Sequence, residues 1–188
     1  MMTEIEKMMS GQRFDGNDIH LRQLRSGVTA VLGQLNQTTD DPTRITILRD
    51  LLKEIGQDSM IRSPFFCEFG QTISLGSHSF ININAVMLDG APITIGNDVL
   101  IGPSAQFYTA GHSLDYRQRR GWETLCKPIV VEDDVWIGGN VVINQGVTIG
   151  ARSVIAAGSV VNDDVPPDCL YGGTPAKLLR RLNENCQV

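Results

Sequence analysis

The chain has 188 residues and a net charge of −5, with 41% hydrophobic and 20% charged residues. This length predicts one domain with a sizeable core, and the acidic balance argues against a general nucleic-acid or membrane-surface role. No apolar run approaches the roughly 18 residues of a membrane span, and no basic-then-apolar leader opens the sequence, so we expect a cytoplasmic protein.

The first part of the chain has the apolar spacing of helices. A short helix is predicted near the start, and residues 19–36 predict a longer amphipathic helix that Asp18 can cap. A third helix is predicted over residues 42–56, behind a cap at Asp41. Residues 1–62 are therefore predicted to form a helical segment.

From Ser63 onward the helical spacing gives way to a period of six residues. Short strands separated by turns have this period, and they stack as a parallel β-helix in which each coil buries aliphatic side chains against its neighbours. The sequence therefore predicts a mainly β protein with a β-helix over residues 63–165. The aliphatic positions of its second half are Val131, Ile137, Ile143, Ile149, Ile155 and Val161.

Two stretches interrupt or end the repeat. Residues 109–128 lack the period and are rich in charge, which is typical of a loop inserted on the binding face of a solenoid. Pro166 and Pro167 stop strand pairing, and residues 176–182 have the composition of a short basic helix. Residues 166–188 are therefore predicted to form a cap on the coil.

The sequence contains three histidines and four cysteines. We expect a solvated or structural role for His20, in a helix, and for His78, at a repeat turn. His112 opens the insertion behind Gly111, where an imidazole that titrates near neutrality could act as a general base or could be an ordinary loop residue. The cysteines have neither CxxC pairing nor a histidine in zinc spacing, which predicts free thiols and no metal site.

Longer motifs accompany the repeat, whose units have an [Ile/Val/Leu]-Gly-x4 pattern. They are Phe66-Cys67-Glu68-Phe69-Gly70, Asn82-Ile83-Asn84-Ala85-Val86-Met87-Leu88-Asp89, Thr109-Ala110-Gly111-His112 and Gly172-Gly173-Thr174-Pro175-Ala176-Lys177. With these motifs the chain resembles the hexapeptide-repeat acyltransferases, in the branch of the maltose, galactoside and nodulation-factor O-acetyltransferases. The resemblance covers almost the whole chain, including the N-terminal helices.

This resemblance implies a left-handed parallel β-helix and a homotrimer with active sites between neighbouring coils. It also implies that an acetyl group passes from acetyl-CoA to a hydroxyl of a maltose-, glucose- or galactoside-like sugar, without a metal. His112 would be the general base of a direct transfer that forms no acyl-enzyme. A backbone N–H near Gly138 and Gly139 would stabilise the oxyanion, and the Glu123 carboxylate could orient His112 or could simply be solvated.

Binding residues follow from matching positions. Asp18, Glu68 and Asn82 would contact the acceptor, although Asp18 could be only a helix cap and Asn82 only a corner residue of the coil. The implied coenzyme A positions are Trp136, Gly139, Ala157, Lys177 and Arg180. The two cations would meet the phosphates, whereas Trp136 could instead merely cover a coil face.

Several residues depart from the branch and leave the acceptor open. Ser113 stands where proline is common, Glu68-Phe69 replaces Asp-Tyr, and Gln145 replaces another proline. The insertion has an unusual set of aromatic and basic residues that could favour a larger or acidic acceptor. These residues are Tyr116, Arg117, Arg119, Arg120 and Trp122.

Other functions fit the sequence less well. An acetyltransferase with a non-sugar acceptor, such as an antibiotic or an amino sugar, is the alternative enzyme. A zinc carbonic anhydrase on the same coil needs three histidine ligands, and only His78 and His112 lie in the coil or its insertion, which excludes it. A scaffold without activity would need neither His112 nor the Gly-Thr-Pro-Ala-Lys motif.

Overall fold

The computed structural model describes residues 2–182, in which an N-terminal helical segment precedes strands stacked into a parallel β-solenoid. The helices are α1 (Glu4–Met9), α2 (Ile19–Gln37), α3 (Asp41–Leu51) and α4 (Tyr116–Arg119). The strands are β1 (Phe14–Asp15), β2 (Glu54–Ile55), β3 (Met60–Ile61), β4 (Phe65–Cys67), β5 (Ile73–Leu75), β6 (Phe80–Ile81), β7 (Ala85–Leu88), β8 (Ile93–Ile95), β9 (Leu100–Ile101), β10 (Gln106–Tyr108), β11 (Ala110–His112), β12 (Glu123–Cys126), β13 (Ile129–Val131), β14 (Trp136–Ile137), β15 (Val142–Asn144), β16 (Thr148–Ile149), β17 (Val154–Ile155), β18 (Val160–Val161), β19 (Cys169–Gly173) and β20 (Ala176–Arg181).

Three parallel sheets form the faces of the solenoid. The first face contains β2, β5, β8, β13 and β16, and the third contains β4, β7, β10, β15 and β18. The second contains β3, β6, β9, β14, β17 and β19, with β20 at its end. The aliphatic residues of the predicted repeat, from Val131 to Val161, are at most 1% exposed, which confirms the period of six and the mainly β fold class. The left-handed sense stays a prediction.

Helices α2 and α3 begin at aspartates that accept hydrogen bonds from the first free N–H groups. The Asp18 carboxylate lies 2.9 Å from the His20 N–H at the start of α2, as predicted. At α3 the cap is Asp40, whose Oδ2 lies 2.8 Å from the Thr43 N–H, and the prediction of Asp41 was wrong by one residue. Both residues are aspartates, so the sequence alone could not decide between them.

The solenoid begins earlier than predicted, at Glu54–Ile55. Ile55 continues the apolar spacing of α3, so periodicity could not separate it from the helix. In the fold, the Gly56 N–H donates to the Leu75 carbonyl at 2.8 Å, and β2 pairs with β5. The boundary predicted at residue 63 therefore falls inside the first coil.

The predicted C-terminal helix over residues 176–182 is wrong. Ala176–Arg181 is instead a strand, β20, which pairs antiparallel with β19. Gly173, with φ of 100°, and the following Thr174-Pro175 turn reverse the chain. The last coil offers an unpaired strand edge there, and pairing with it satisfies the backbone of β20, which composition alone could not reveal. Residues 183–188 of the predicted cap lie outside the described part of the chain.

The insertion predicted as a loop over residues 109–128 is a hairpin. Its strands β11 and β12 pair antiparallel, α4 lies between them, and β1 from the N-terminal segment adds to β12. This small sheet brings the segment before α2 against the insertion. Within residues 2–182, no helix has both the length and the apolar character that crossing a membrane requires.

Candidate active site

His112 is held at the end of β11 by the backbone of the opposite strand. Its Nδ1 lies 3.2 Å from the carbonyl oxygen of Glu123. A carbonyl oxygen only accepts hydrogen bonds, so the geometry fits Nδ1–H as the donor. In the neutral imidazole this tautomer leaves the Nε2 lone pair free, which is the form that a general base requires.

Glu123 orients His112 in a way that the sequence did not predict. Its carboxylate is turned away and forms an ion pair with Arg13, whereas its backbone carbonyl accepts the imidazole N–H. The suggestion that the carboxylate orients the base is therefore wrong. Every residue has a carbonyl, so no residue type signals such a contact.

His112 lines two cavities. The first, here called the Glu68 cavity, has a volume of about 360 Å³ and lies among α2, the third face and the hairpin. The second, the Gln145 cavity, has a volume of about 530 Å³. The Glu68 cavity is lined by Phe14, Gly16, Asn17, Arg22, Arg25, Glu68, Phe69, Leu88, Gly90, Ala110, His112, Trp122, Thr124 and Cys126. The Gln145 cavity is lined by Arg13, Gly111, His112, Ser113, Leu114, Asp115, Glu123, Leu125, Lys127 and Gln145.

Glu68 brings a carboxylate into the same cavity as His112. Its Oε1 lies 3.7 Å from Nη1 of Arg25, whose guanidinium also stacks 5.7 Å from the centre of the Phe69 ring. Burial raises the pKa of Glu68 above its ordinary value, and the Arg25 charge opposes that rise in part. The predicted acceptor residue Glu68 thus lies with the predicted base, as part of a half-buried ion pair.

We expect Glu68→Gln to gain stability relative to the wild type as the pH rises. Because the pKa is raised in the folded state, protonated Glu68 stabilises the fold fully below its ordinary pKa of 4.5, and this contribution is lost as the pH rises through the raised value. Glutamine stays neutral, so the difference in melting temperature should widen from pH 4 to pH 7. Glu54→Gln, at an exposed position, is the control. If the melting temperatures of Glu68→Gln and of the wild type change equally with pH, the prediction is wrong.

The other predicted acceptor residues lie elsewhere. Asp18 caps α2, and among residues 2–182 it is Asn17, not Asp18, that lines the Glu68 cavity. Asn82 follows β6, at the corner between the second and third faces, and its Oδ1 accepts from the Ile83 N–H at 2.8 Å. Both side chains therefore have the local structural roles that the sequence left open as alternatives.

The predicted coenzyme A residues share the region of Asn82. Trp136 lies on the second face with its side chain 51% exposed, and Gly139 and Ala157 lie at the corner that follows this face. The coils stack tightly there, because a Cβ on Gly138 would lie 2.6 Å from the backbone nitrogen of Ala157. The candidate residues thus form two groups within one chain, one at the hairpin and one at this corner.

The predicted phosphate-binding cations extend the second group. Lys177 and Arg180 both lie on β20, at the end of the second face, and both are exposed. The Lys177 Nζ is 3.6 Å from Oδ2 of Asp163, an exposed pair that contributes little to stability. Their charges are therefore available at the surface where the solenoid ends.

The arginines of the insertion do not line the Glu68 cavity. Arg117 and Arg120 stack on the Tyr116 ring, at 5.4 Å and 5.0 Å from its centre. Arg119 donates to the Ser113 carbonyl at 2.8 Å. The cations of this cavity are instead Arg22 and Arg25 from α2, which belong to none of the sequence motifs. Nothing in their spacing distinguishes them from other surface arginines of an amphipathic helix.

The cysteines near this region are protonated thiols. Burial raises the pKa of Cys126, which lines the Glu68 cavity, to about 11, and it raises the pKa of Cys67 as well. A cysteine that stays protonated is a poor nucleophile, because the thiolate is the reactive form. Within residues 2–182, no group of three or more histidine, cysteine, aspartate or glutamate side chains is arranged to hold a metal ion.

Comparisons with known proteins agree with this fold. A family model described as bacterial transferase hexapeptide (six repeats) matches residues 128–163. The chain is 40% identical over 178 residues to nodulation protein L of Rhizobium meliloti (strain 1021), and the alignment covers 94% of this chain and 97% of that protein.

Two solved structures agree over nearly the full length. A hexapeptide-repeat-containing acetyltransferase from Vibrio cholerae O1 biovar eltor, complexed with acetyl coenzyme A, has 62% identity and a TM-score of 0.91, with 97% of this chain and 100% of that chain covered. A maltose O-acetyltransferase from Clostridium difficile 630 has 36% identity and a TM-score of 0.94, with 97% and 99% covered. The chain therefore belongs to the hexapeptide-repeat acyltransferases, in the branch of the maltose, galactoside and nodulation-factor O-acetyltransferases.

Proposed function

We propose that this protein transfers the acetyl group of acetyl-CoA to a hydroxyl of a sugar. The observation that carries the proposal is the position of His112, with Nδ1 held by the Glu123 carbonyl, on the wall shared by the Glu68 and Gln145 cavities. A general base for acyl transfer must reach the acceptor hydroxyl and lie beside the thioester, and a residue between two cavities can do both. The acetyl-CoA complex of the Vibrio cholerae relative supports the choice of donor.

The chemistry is a direct transfer. The acceptor hydroxyl attacks the thioester carbonyl while His112 Nε2 takes its proton, and the tetrahedral intermediate then collapses and expels the thiolate of coenzyme A. The imidazolium returns its proton to the leaving sulfur. The Gly138 N–H is already bonded to the Ile155 carbonyl at 2.8 Å, so we assign the oxyanion donor to the Gly139 N–H.

Two protomers are needed to bring these groups together. His112 follows β10, on the third face, whereas Gly139 follows β14, on the second, so the two lie at different corners of one solenoid. We infer a homotrimer in which the corner of one chain approaches the hairpin of the next. Each active site then combines the base of one protomer with the coenzyme A surface of another.

Binding of the two substrates follows from this arrangement. Exposed Trp136 and the small residues Gly139 and Ala157 give the pantetheine arm an apolar path along the coil, and Lys177 and Arg180 meet the phosphates. On the acceptor side, Glu68 meets a sugar hydroxyl. Asn82 is assigned to the same task across the protomer interface, and Asp18 to holding the start of α2 beside the cavity.

The proposal is tested by following release of free coenzyme A thiol from acetyl-CoA. The acceptor panel contains maltose, glucose, a galactoside and glucosamine oligomers, together with hydroxyl compounds that are not sugars. Release with one class of sugar is the expected result. Thiol release only with a non-sugar hydroxyl compound would show that the acceptor is not a sugar. Failure to bind or turn over acetyl-CoA would overturn the proposal.

A further inference from the structure

Trp122 has an unusual combination of backbone conformation and exposure. It is the residue before β12, and its φ of 57° lies in the left-handed region that bulky side chains rarely adopt. Its side chain is nevertheless 55% exposed, and it lines the Glu68 cavity beside His112, with the two ring centres 6.4 Å apart. An aromatic residue that only filled the core would be buried, so burial does not account for this conformation.

Hydrogen bonds hold the Trp122 backbone in this conformation. Its N–H donates to the Arg119 carbonyl at 3.1 Å, and its carbonyl accepts from the Gly16 N–H at 3.0 Å and from the Thr124 hydroxyl at 2.8 Å. Gly16 has to be glycine here, because a Cβ would run into the Thr124 side chain and lie 3.3 Å from the Trp122 carbonyl oxygen. The surrounding chain therefore fixes the Trp122 backbone beside the cavity that the indole lines.

The same contacts connect Trp122 to the ion pair of the cavity. Gly16, which donates to Trp122, accepts through its own carbonyl from Nη2 of Arg25 at 2.6 Å. Arg25 in turn lies 3.7 Å from Glu68. One cavity thus contains an exposed aromatic face, a half-buried charged pair and the imidazole of His112.

We infer that Trp122 is the platform on which a pyranose ring of the acceptor stacks, and that it selects cyclic over acyclic polyols. A pyranose has a face of C–H groups that suits an indole and a rim of hydroxyls that suits charged and polar partners. Trp122 takes the C–H face, Glu68 and Arg25 take hydroxyls of the rim, and one hydroxyl faces His112. This inference rests on the proposed function. It specifies that the acceptor is a ring, and it names Trp122 as the residue that recognises the ring.

The test compares Trp122→Ala, Trp122→Phe and Tyr116→Ala in thiol-release kinetics at saturating acetyl-CoA. We expect Trp122→Ala to raise the KM of a pyranose acceptor roughly tenfold or more, while its kcat changes less than about threefold. Trp122→Phe keeps an aromatic face and should stay within about threefold of the wild type. Tyr116 is half-exposed in the same insertion but does not line the cavity, so its replacement should change neither constant.

Three controls separate stacking from a structural effect. Catalysis with an acyclic polyol such as sorbitol should lose nothing in Trp122→Ala, and the KM of acetyl-CoA and the pH profile of kcat should not move. An equal loss with cyclic and acyclic acceptors would overturn the inference. A shifted pH profile would also overturn it, because it would show that Trp122 acts by positioning His112.

Fluorescence provides a readout that does not depend on turnover. The chain has two tryptophans, so a Trp136→Phe background leaves Trp122 as the sole indole reporter. Titration with a pyranose should change its emission, and titration with sorbitol should not. If the wild type transfers no acetyl group, the proposed function fails, whereas an unchanged Trp122 signal in a protein that does acetylate pyranoses overturns this inference alone.

Discussion

We expect His112→Ala to lower kcat for acetyl transfer by roughly 10²- to 10⁴-fold, because an alcohol at neutral pH needs a base to take its proton as it attacks. The KM of acetyl-CoA should change little, since the proposed pantetheine and phosphate contacts are made by residues of another protomer's corner. Thiol-release kinetics over a range of acetyl-CoA concentrations measure both effects.

Two matched variants make this result specific to the base. His78→Ala removes an exposed histidine that lies between Asp58 and Asp98 at a coil corner, and it should leave kcat unchanged. Glu123→Ala removes a carboxylate but keeps the backbone carbonyl that orients His112, and it should stay within about threefold of the wild type. His112→Ala with more than about a tenth of wild-type kcat would exclude general-base catalysis by this residue.

The sequence predicted the solenoid because its signal is local and repeated. Ile137, Ile143 and Ile149 lie six residues apart and each fills the interior of a coil, so many copies of one pattern agree. The ends of the solenoid have no such redundancy. Ile55 fits a helix as well as a strand, and β20 forms only because β19 leaves an edge that it can pair with.

Two residues of the candidate site could be predicted, because their residue type and motif indicate their chemistry. His112 follows a glycine at the start of the insertion, and Glu68 lies in a motif of the branch. Arg25 was beyond such reasoning, and Trp122 stood out only as one of five unusual residues of the insertion, because both reach the cavity only after β1 pairs with β12 and brings α2 to the hairpin. Contacts between elements distant in sequence, and contacts made by backbone groups, carry no local pattern.

We expect Asp89→Ala to cost about 3–5 kcal/mol of unfolding free energy, because it removes the acceptor for several buried donors at once. Asp89 is 0% exposed. Its Oδ1 accepts from the N–H groups of Glu68 and Phe69 at 2.7 and 3.0 Å, and its Oδ2 accepts from Gly70 at 2.7 Å. The Thr72 hydroxyl lies 2.7 Å from the same Oδ2. Chemical denaturation with urea measures the loss.

Asp164→Ala is the matched control for this prediction. Asp164 is exposed and accepts a single bond from the coil, from the Thr148 N–H at 2.7 Å, so its replacement should cost no more than about 1 kcal/mol. Asp89→Asn tests the direction of the bonds, because its amide would set an N–H₂ against the N–H groups of the turn. We expect it to cost about 1–3 kcal/mol although it preserves the side-chain shape.

The same aspartate connects stability with the proposed acceptor site. The three N–H groups that Asp89 binds belong to the turn that presents Glu68 to the cavity, so loosening this turn should raise the KM of the acceptor in Asp89→Asn. The KM of acetyl-CoA should not change, because the proposed coenzyme A surface lies at a different corner of the solenoid. A loss of stability without any change in acceptor KM would show that Asp89 supports the fold alone, and that the Glu68 turn is not part of the acceptor site.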